Sequence, residues 1–158
     1  MTQTILIQKR ANGKYHSGGL WSNSCCSHQY KGEQWVDAIN RCIADELSVE
    51  VNIQSCNVGD IGTGETAKEW LEHDNVVQAG VFQYFSNYGD MKEHEIDHVF
   101  FCGLDAMTIK GIVPNPAEID EIKWVTVSEL DEWVNERPNE FTSWFKEAYK
   151  LIKDIIVS

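Results

Sequence analysis

The sequence predicts an α+β domain, a mixed sheet flanked by helices, on three observations. Short β-branched apolar runs recur along the chain and read as strands. Two stretches, one early and one at the end, repeat apolar residues at spacings of three and four and read as helices. Strands and helices interleave, with neither internal repeats nor low-complexity segments. At 158 residues, 42% hydrophobic and 24% charged, the chain is expected to form one domain, 1–158, whose core needs no disulfide staples.

Thr4-Ile5-Leu6-Ile7-Gln8 is expected as a strand that runs into a loop rich in glycine, serine and asparagine from Ala11 to Ser27. From Glu33 to Leu47, the residues Trp35, Val36, Ile39, Cys42, Ile43 and Leu47 fall on one helix face. Val49 to Ile53 is expected as a short strand, Asn57 to Thr66 as a glycine-rich loop and Ala67 to Glu72 as a short helix. Val76 to Phe85, Ile96 to Leu104 and Ile122 to Val127 are expected as strands, with Ser128 capping a short helix through Val134. Pro138 is expected to open a final amphipathic helix whose apolar face carries Phe141, Trp144, Phe145, Ala148, Leu151, Ile152 and Ile155.

A formal net charge of −12 repels polyanions, which argues against nucleic acid and anionic membrane surfaces as partners. Positive charge is nevertheless gathered early, at Lys9, Arg10, Lys14, Lys31 and Arg41, where a small anionic ligand could bind. The apolar runs are far shorter than the roughly 20 residues of a membrane-spanning helix, and the start lacks a leader pattern. The expectation is a soluble, cytoplasmic protein. Its five cysteines, Cys25, Cys26, Cys42, Cys56 and Cys102, form no CxxC pair and are expected as reduced thiols.

The stretch Lys14-Tyr15-His16-Ser17-Gly18-Gly19-Leu20-Trp21-Ser22-Asn23-Ser24-Cys25-Cys26-Ser27-His28 closely resembles the signature loop of type 1 isopentenyl-diphosphate isomerases, enzymes of the Nudix fold. Glu93-His94-Glu95-Ile96-Asp97 and Glu140-Phe141-Thr142-Ser143-Trp144-Phe145 resemble two further segments of that family. The resemblance runs from Thr4 to the final helix, with an insertion at about 54–79. Ser27, Glu33, Arg41, Cys42, Ile43, Asp45, Glu46, Ser48 and Val49 also follow the spacing of a worn Nudix box. In hydrolytic members of that fold, carboxylates four apart on the helix share magnesium and activate water. Cys42 removes one of them, which argues against efficient hydrolysis.

The resemblance implies isomerisation of isopentenyl diphosphate to dimethylallyl diphosphate. A 1,3-shift of a double bond needs an acid, a base and a group that tolerates a cationic intermediate. By resemblance, Cys26 is the thiol on one face of the substrate, and Glu95, with Tyr84 beside it, is the proton-transfer group on the other. Trp144 is implied as the ring that meets the carbocation. Arg10, Lys14, Ser27 and Arg41 are implied as substrate-binding residues, with Mg2+ held through Glu46 on the same diphosphate. Glu93 and Glu95 lie two apart on a strand and so face one side. With His28 they are implied as ligands of a second divalent ion, Mn2+, Zn2+ or Mg2+. His16, His73, His94 and His98 have no role implied by the family, and His94 and His98 should point away from Glu93 and Glu95.

Family members also carry, ahead of the position of Thr4, a strand with two further histidine ligands. Without it three protein ligands are expected, and an open sheet edge where a second copy of the chain could pair to form a homo-oligomer. Two other functions stay open at this point. One is a Nudix hydrolase of small diphosphates, favoured by Glu33, Asp45 and Glu46; the other is an idle isomerase-like module that only binds diphosphates.

Overall fold

The computed structural model describes residues 4–57 and 76–157. In chain order the elements are β1 (Thr4–Arg10), β2 (Trp21–Ser22), α1 (Trp35–Leu47), β3 (Cys56–Asn57), β4 (Val76–Tyr88), β5 (Met91–Cys102), α2 (Ala106–Gly111), β6 (Ile119–Thr126), α3 (Val127–Glu136), a 3-10 turn (Pro138–Glu140) and α4 (Phe145–Val157). The α+β class is as expected, but the strands divide into two three-stranded sheets, β2-β1-β6 and β3-β4-β5. The first is antiparallel throughout. The second is mixed, with β3 parallel and β5 antiparallel to β4.

β1 lies between two hydrophobic clusters. Ile5 and Ile7 enter the one built with Val125, Leu130, Phe141 and Phe145, while Leu6 enters the other with Ile43, Leu47, Val76 and Ile119. Side chains alternate across a strand, so an unbroken apolar run is what a strand with two covered faces requires. Ile7 is fully buried, a transfer that stabilises by about 1.5–3 kcal/mol.

The hairpin β4-β5 is longer than expected and turns at Gly89-Asp90, between the paired Tyr88 and Met91. Gly89 takes φ +64°, the conformation a type II′ turn needs at its first central residue. α4 crosses this hairpin closely at Gly80, where a Cβ would stand 2.9 Å from Leu151 Cδ2. No helix among the described residues is long and apolar enough to cross a membrane.

Four local expectations are corrected. Val49 to Ile53 is not a strand: Ile53 is buried, but its N–H and C=O are both taken by the Asn40 side chain, so no ladder is needed. The last helix starts at Phe145 and not at Pro138, because the Thr142 N–H donates to Trp21 C=O and Phe141 bridges to β2. Trp144 therefore precedes the helix. β6 begins at Ile119, and its end doubles as the cap of α3: Thr126, not Ser128, accepts from the Glu129 N–H while Glu129 returns the bond, a capping box. α2 was not foreseen, although Asp105 caps it through the N–H groups of Met107 and Thr108. The loop expected from Asn57 to Thr66 starts in β3 at Asn57; the rest of it, the helix expected at Ala67 to Glu72 and most of the insertion lie outside the described residues.

Candidate active site

The hairpin supplies one wall of the site. Glu93, Glu95 and Asp97 alternate with the exposed His94, Ile96 and His98, so the carboxylates share the half-buried face, as strand alternation predicts. Tyr84 sits opposite Glu95 in register on β4, and its hydroxyl donates to Glu93 Oε2 at 2.8 Å and Glu95 Oε2 at 3.3 Å. Burial, and then donation to Glu93, push the phenol up, so it keeps its proton. Asp97 is raised to about 6 by burial and by repulsion from Glu95 and Glu93.

The loop between β1 and α1 brings the facing groups. His28 Nε2 lies 3.2 Å from Glu95 Oε1. His16, earlier on that stretch in the loop between β1 and β2, places Nε2 3.3 Å from Glu93 Oε1. Cys26 is exposed at the loop surface yet surrounded by protein at longer range. That desolvation, with the carboxyls of Asp97 and Glu46, pushes its thiol up to about 12, so it carries a proton at neutral pH. Cys25 instead points inward, packing against the second core cluster, and contact with Cys42 raises its thiol.

Trp144 closes the site from the segment before α4. It is buried, its Nε1 donates to Asn23 Oδ1 at 3.2 Å, and its ring lies 5.8 Å from that of Tyr84. The Arg10 guanidinium stands 5.4 Å from the Trp144 ring centroid, so this aromatic face already meets a cation. Arg10 is itself buried, and its Nε has no hydrogen-bond partner. A buried donor without a partner is costly, and an anion would satisfy it.

Glu46 reaches in from α1. Gln8 Nε2 donates to its Oε2 at 3.0 Å and the Cys26 N–H to its Oε1 at 3.4 Å. Burial raises its carboxyl to about 7 despite those bonds. Gln8 Oε1 beside it is buried without a partner.

Not every expected substrate contact is free. Lys14 pairs with Glu118. Arg41 is engaged by Glu33 through Nε at 2.8 Å and Nη2 at 2.9 Å, also bonds Ser27 Oγ and His28 C=O, and lies over the Tyr30 ring. It thereby staples the Ser27–Tyr30 loop to α1. Reading the sequence missed His16, Gln8, Asn23 and Asp97. For Asp97 the signal was available, since it continues the Glu93, Glu95 alternation.

The chain matches the NUDIX domain over residues 1–145. It is similar to isopentenyl-diphosphate Delta-isomerase 2 of Aromatoleum aromaticum, 36% identical over 89% of this chain and 60% of that protein. Isopentenyl-diphosphate Delta-isomerase 1 of the same organism is 34% identical over 90% of this chain and 66% of its own length. The isopentenyl-diphosphate Delta-isomerase of Pectobacterium atrosepticum is 31% identical over 96% of this chain and 70% of its own length. The chain belongs to the Nudix family and, within it, to the isopentenyl-diphosphate Delta-isomerase group. It spans about two thirds or less of the length of the first two relatives.

This membership fits a divalent metal cofactor. Among the described residues no group of three or more His, Cys, Asp or Glu is gathered tightly enough to hold an ion. The donor chemistry is nevertheless suitable at two places. Glu46 and the unpartnered Gln8 Oε1 are hard oxygen donors of the kind Mg2+ takes. His28, Glu93 and Glu95 offer one imidazole and two carboxylates, a set that suits Zn2+ or Mn2+.

Proposed function

We propose that the protein converts isopentenyl diphosphate to dimethylallyl diphosphate by protonation and deprotonation through a carbocation. The observation that carries the reading is Tyr84: its hydroxyl donates to both Glu93 and Glu95 while its ring lies beside Trp144. A proton-transfer group and a cation-tolerant aromatic face thus adjoin each other. One proton is added to the terminal methylene carbon and another is removed from the methylene next to the oxygen-bearing carbon, so atoms balance and nothing is oxidised. Cys26 and Glu95 are the opposed groups in this exchange, with Tyr84 orienting Glu95. Trp144 faces the tertiary cation, an attraction that reaches ~2 kcal/mol when desolvated.

The diphosphate is placed at Arg10, Lys14 and Ser27, with Arg41 holding the Ser27 loop in place. Glu46 would hold a Mg2+ on it, and His28, Glu93 and Glu95 a second divalent ion, Mn2+, Zn2+ or Mg2+. These ions would neutralise the diphosphate and stabilise charge at the carboxylates. The unpartnered Arg10 Nε supports an anion at this place.

The test incubates the purified chain with isopentenyl diphosphate and Mg2+, with and without Mn2+ or Zn2+, in deuterated water. Dimethylallyl diphosphate carrying solvent deuterium is expected. Release of phosphate without isomerisation would make it a hydrolase, and binding without turnover would make it a diphosphate-binding module; either replaces this reading.

A further inference from the structure

We infer that His16 is a positioning residue for the proton-transfer group, holding the Glu93 carboxylate so that the Tyr84 hydroxyl stays shared between Glu93 and Glu95. His16 comes from the loop between β1 and β2, far in sequence from β5. Its side chain is only 6% exposed, and its Nε2 lies 3.3 Å from Glu93 Oε1. The opposite nitrogen, Nδ1, is 3.1 Å from Ser17 Oγ, and Ser17 takes a left-handed φ of 53° to stand there. Both ring nitrogens therefore have partners, a common way to fix an imidazole's orientation.

The ring is held as firmly by its faces. It stacks on Tyr88 at 4.5 Å and 22°, meets the edge of Tyr15 at 4.5 Å and 84°, and stands 6.0 Å from Trp144 at 80°. One imidazole thus touches the wall that carries the carboxylates and the tryptophan that closes the site. Glu93 is 15% exposed, so each of its oxygens needs a partner. Oε2 accepts from the Tyr84 hydroxyl, and Oε1 faces the His16 Nε2 at ion-pair distance. Remove His16 and Glu93 is free to turn its unpartnered oxygen toward water, drawing the Tyr84 hydroxyl away from Glu95. The effect on turnover acts through Glu93 and Tyr84, without His16 touching the substrate.

The kinetic arm of the test rests on the isomerase reading. His16→Phe keeps the stacking and removes both nitrogens, while His16→Gln restores a donor without the ring. Loss of a partner to a functional carboxylate typically costs about 10- to 100-fold. The expected result is a kcat lowered by that factor in His16→Phe with KM nearly unchanged, partial recovery in His16→Gln, and no further loss when His16→Phe is added to Glu93→Gln. Wild-type kcat in both single variants, or a full additional loss in the Glu93→Gln background, overturns the inference. A second arm needs no turnover: the ring-nitrogen NMR signals of His16 should move on Glu93→Gln, and His16→Gln covers the case in which the phenylalanine variant does not fold. If the wild-type protein makes no dimethylallyl diphosphate while those signals move, the isomerase reading falls and the positioning of Glu93 stands. Unmoved signals overturn the positioning whatever the activity.

Discussion

β1 and β5 are each one strand of a three-stranded sheet, yet β1 buries five of its seven residues and β5 fully buries none. β1 is apolar without alternation because it is covered on both faces. β5 alternates, with Glu93, Glu95 and Asp97 on the site face and His94, Ile96 and His98 toward solvent. Three carboxyls on one half-buried strand face are costly, and Asp97 is raised first by its burial and then by repulsion from Glu95 and Glu93. The two strands divide the labour unequally: β1 gives Ile5, Leu6 and Ile7 to the two core clusters and only Gln8 and Arg10 to the site, while β5 gives its inner face to the carboxyls.

The largest expected effects break the division from the chemical side. Cys26→Ala and Glu95→Gln should each lower isomerisation by about 10²- to 10⁴-fold with little change in the unfolding midpoint. Cys25→Ala should be mild in rate, since that thiol belongs to the core. Turnover measured beside thermal unfolding decides it, and a Glu95→Gln protein that unfolds readily would erase the distinction between the strands.

Next come variants on the structural side. Leu130 is 0% exposed, and Leu130→Ala should cost about 2–5 kcal/mol in urea unfolding. Ile96, 64% exposed on β5, should lose less than about 0.5 kcal/mol on change to alanine. Equal losses at the two positions would mean that the outer face of β5 is covered in solution.

Thr126→Ala sharpens the comparison at the end of β6. It removes the capping box of α3, so about 0.5–2 kcal/mol of stability should be lost with kcat unchanged. A fall in kcat without loss of stability would tie α3 to the site instead.

The smallest effect concerns acid. The Arg41 guanidinium, aided by the Tyr30 N–H, holds the Glu33 carboxyl down from 4.5 to about 2. On acidification the unfolded chain takes up this proton first, so the contribution is complete above about 4.5 and is lost as pH falls toward 2. Glu33→Gln should therefore show a shallower loss of stability across that window in denaturant titrations at stepped pH. Parallel curves for variant and wild type would mean the pair contributes nothing to the fold.

What could be read from the sequence was whatever is written locally. The helix from about Trp35 to Leu47 follows from its own periodicity, the first strand from an unbroken apolar run, and the shared face of Glu93 and Glu95 from strand alternation. The signature loop and the Glu-His-Glu segment are contiguous, so family membership was legible as well.

What only the tertiary structure decided depends on partners far away in sequence. The strands divide into two sheets because β1 pairs with β2 and β6, while β4 pairs with β3 and β5. Pro138 does not open a continuous helix because Thr142 spends its N–H on Trp21, and residues 49–53 need no ladder because Asn40 satisfies Ile53. Arg41, implied as a substrate contact, also bonds Glu33, and His16, for which the resemblance implies no role, meets Glu93. A residue type and its spacing specify which bonds a group is able to make. Which bond it does make is settled only when folding brings the competing partners within reach, because a buried polar group must take whichever partner the packing presents.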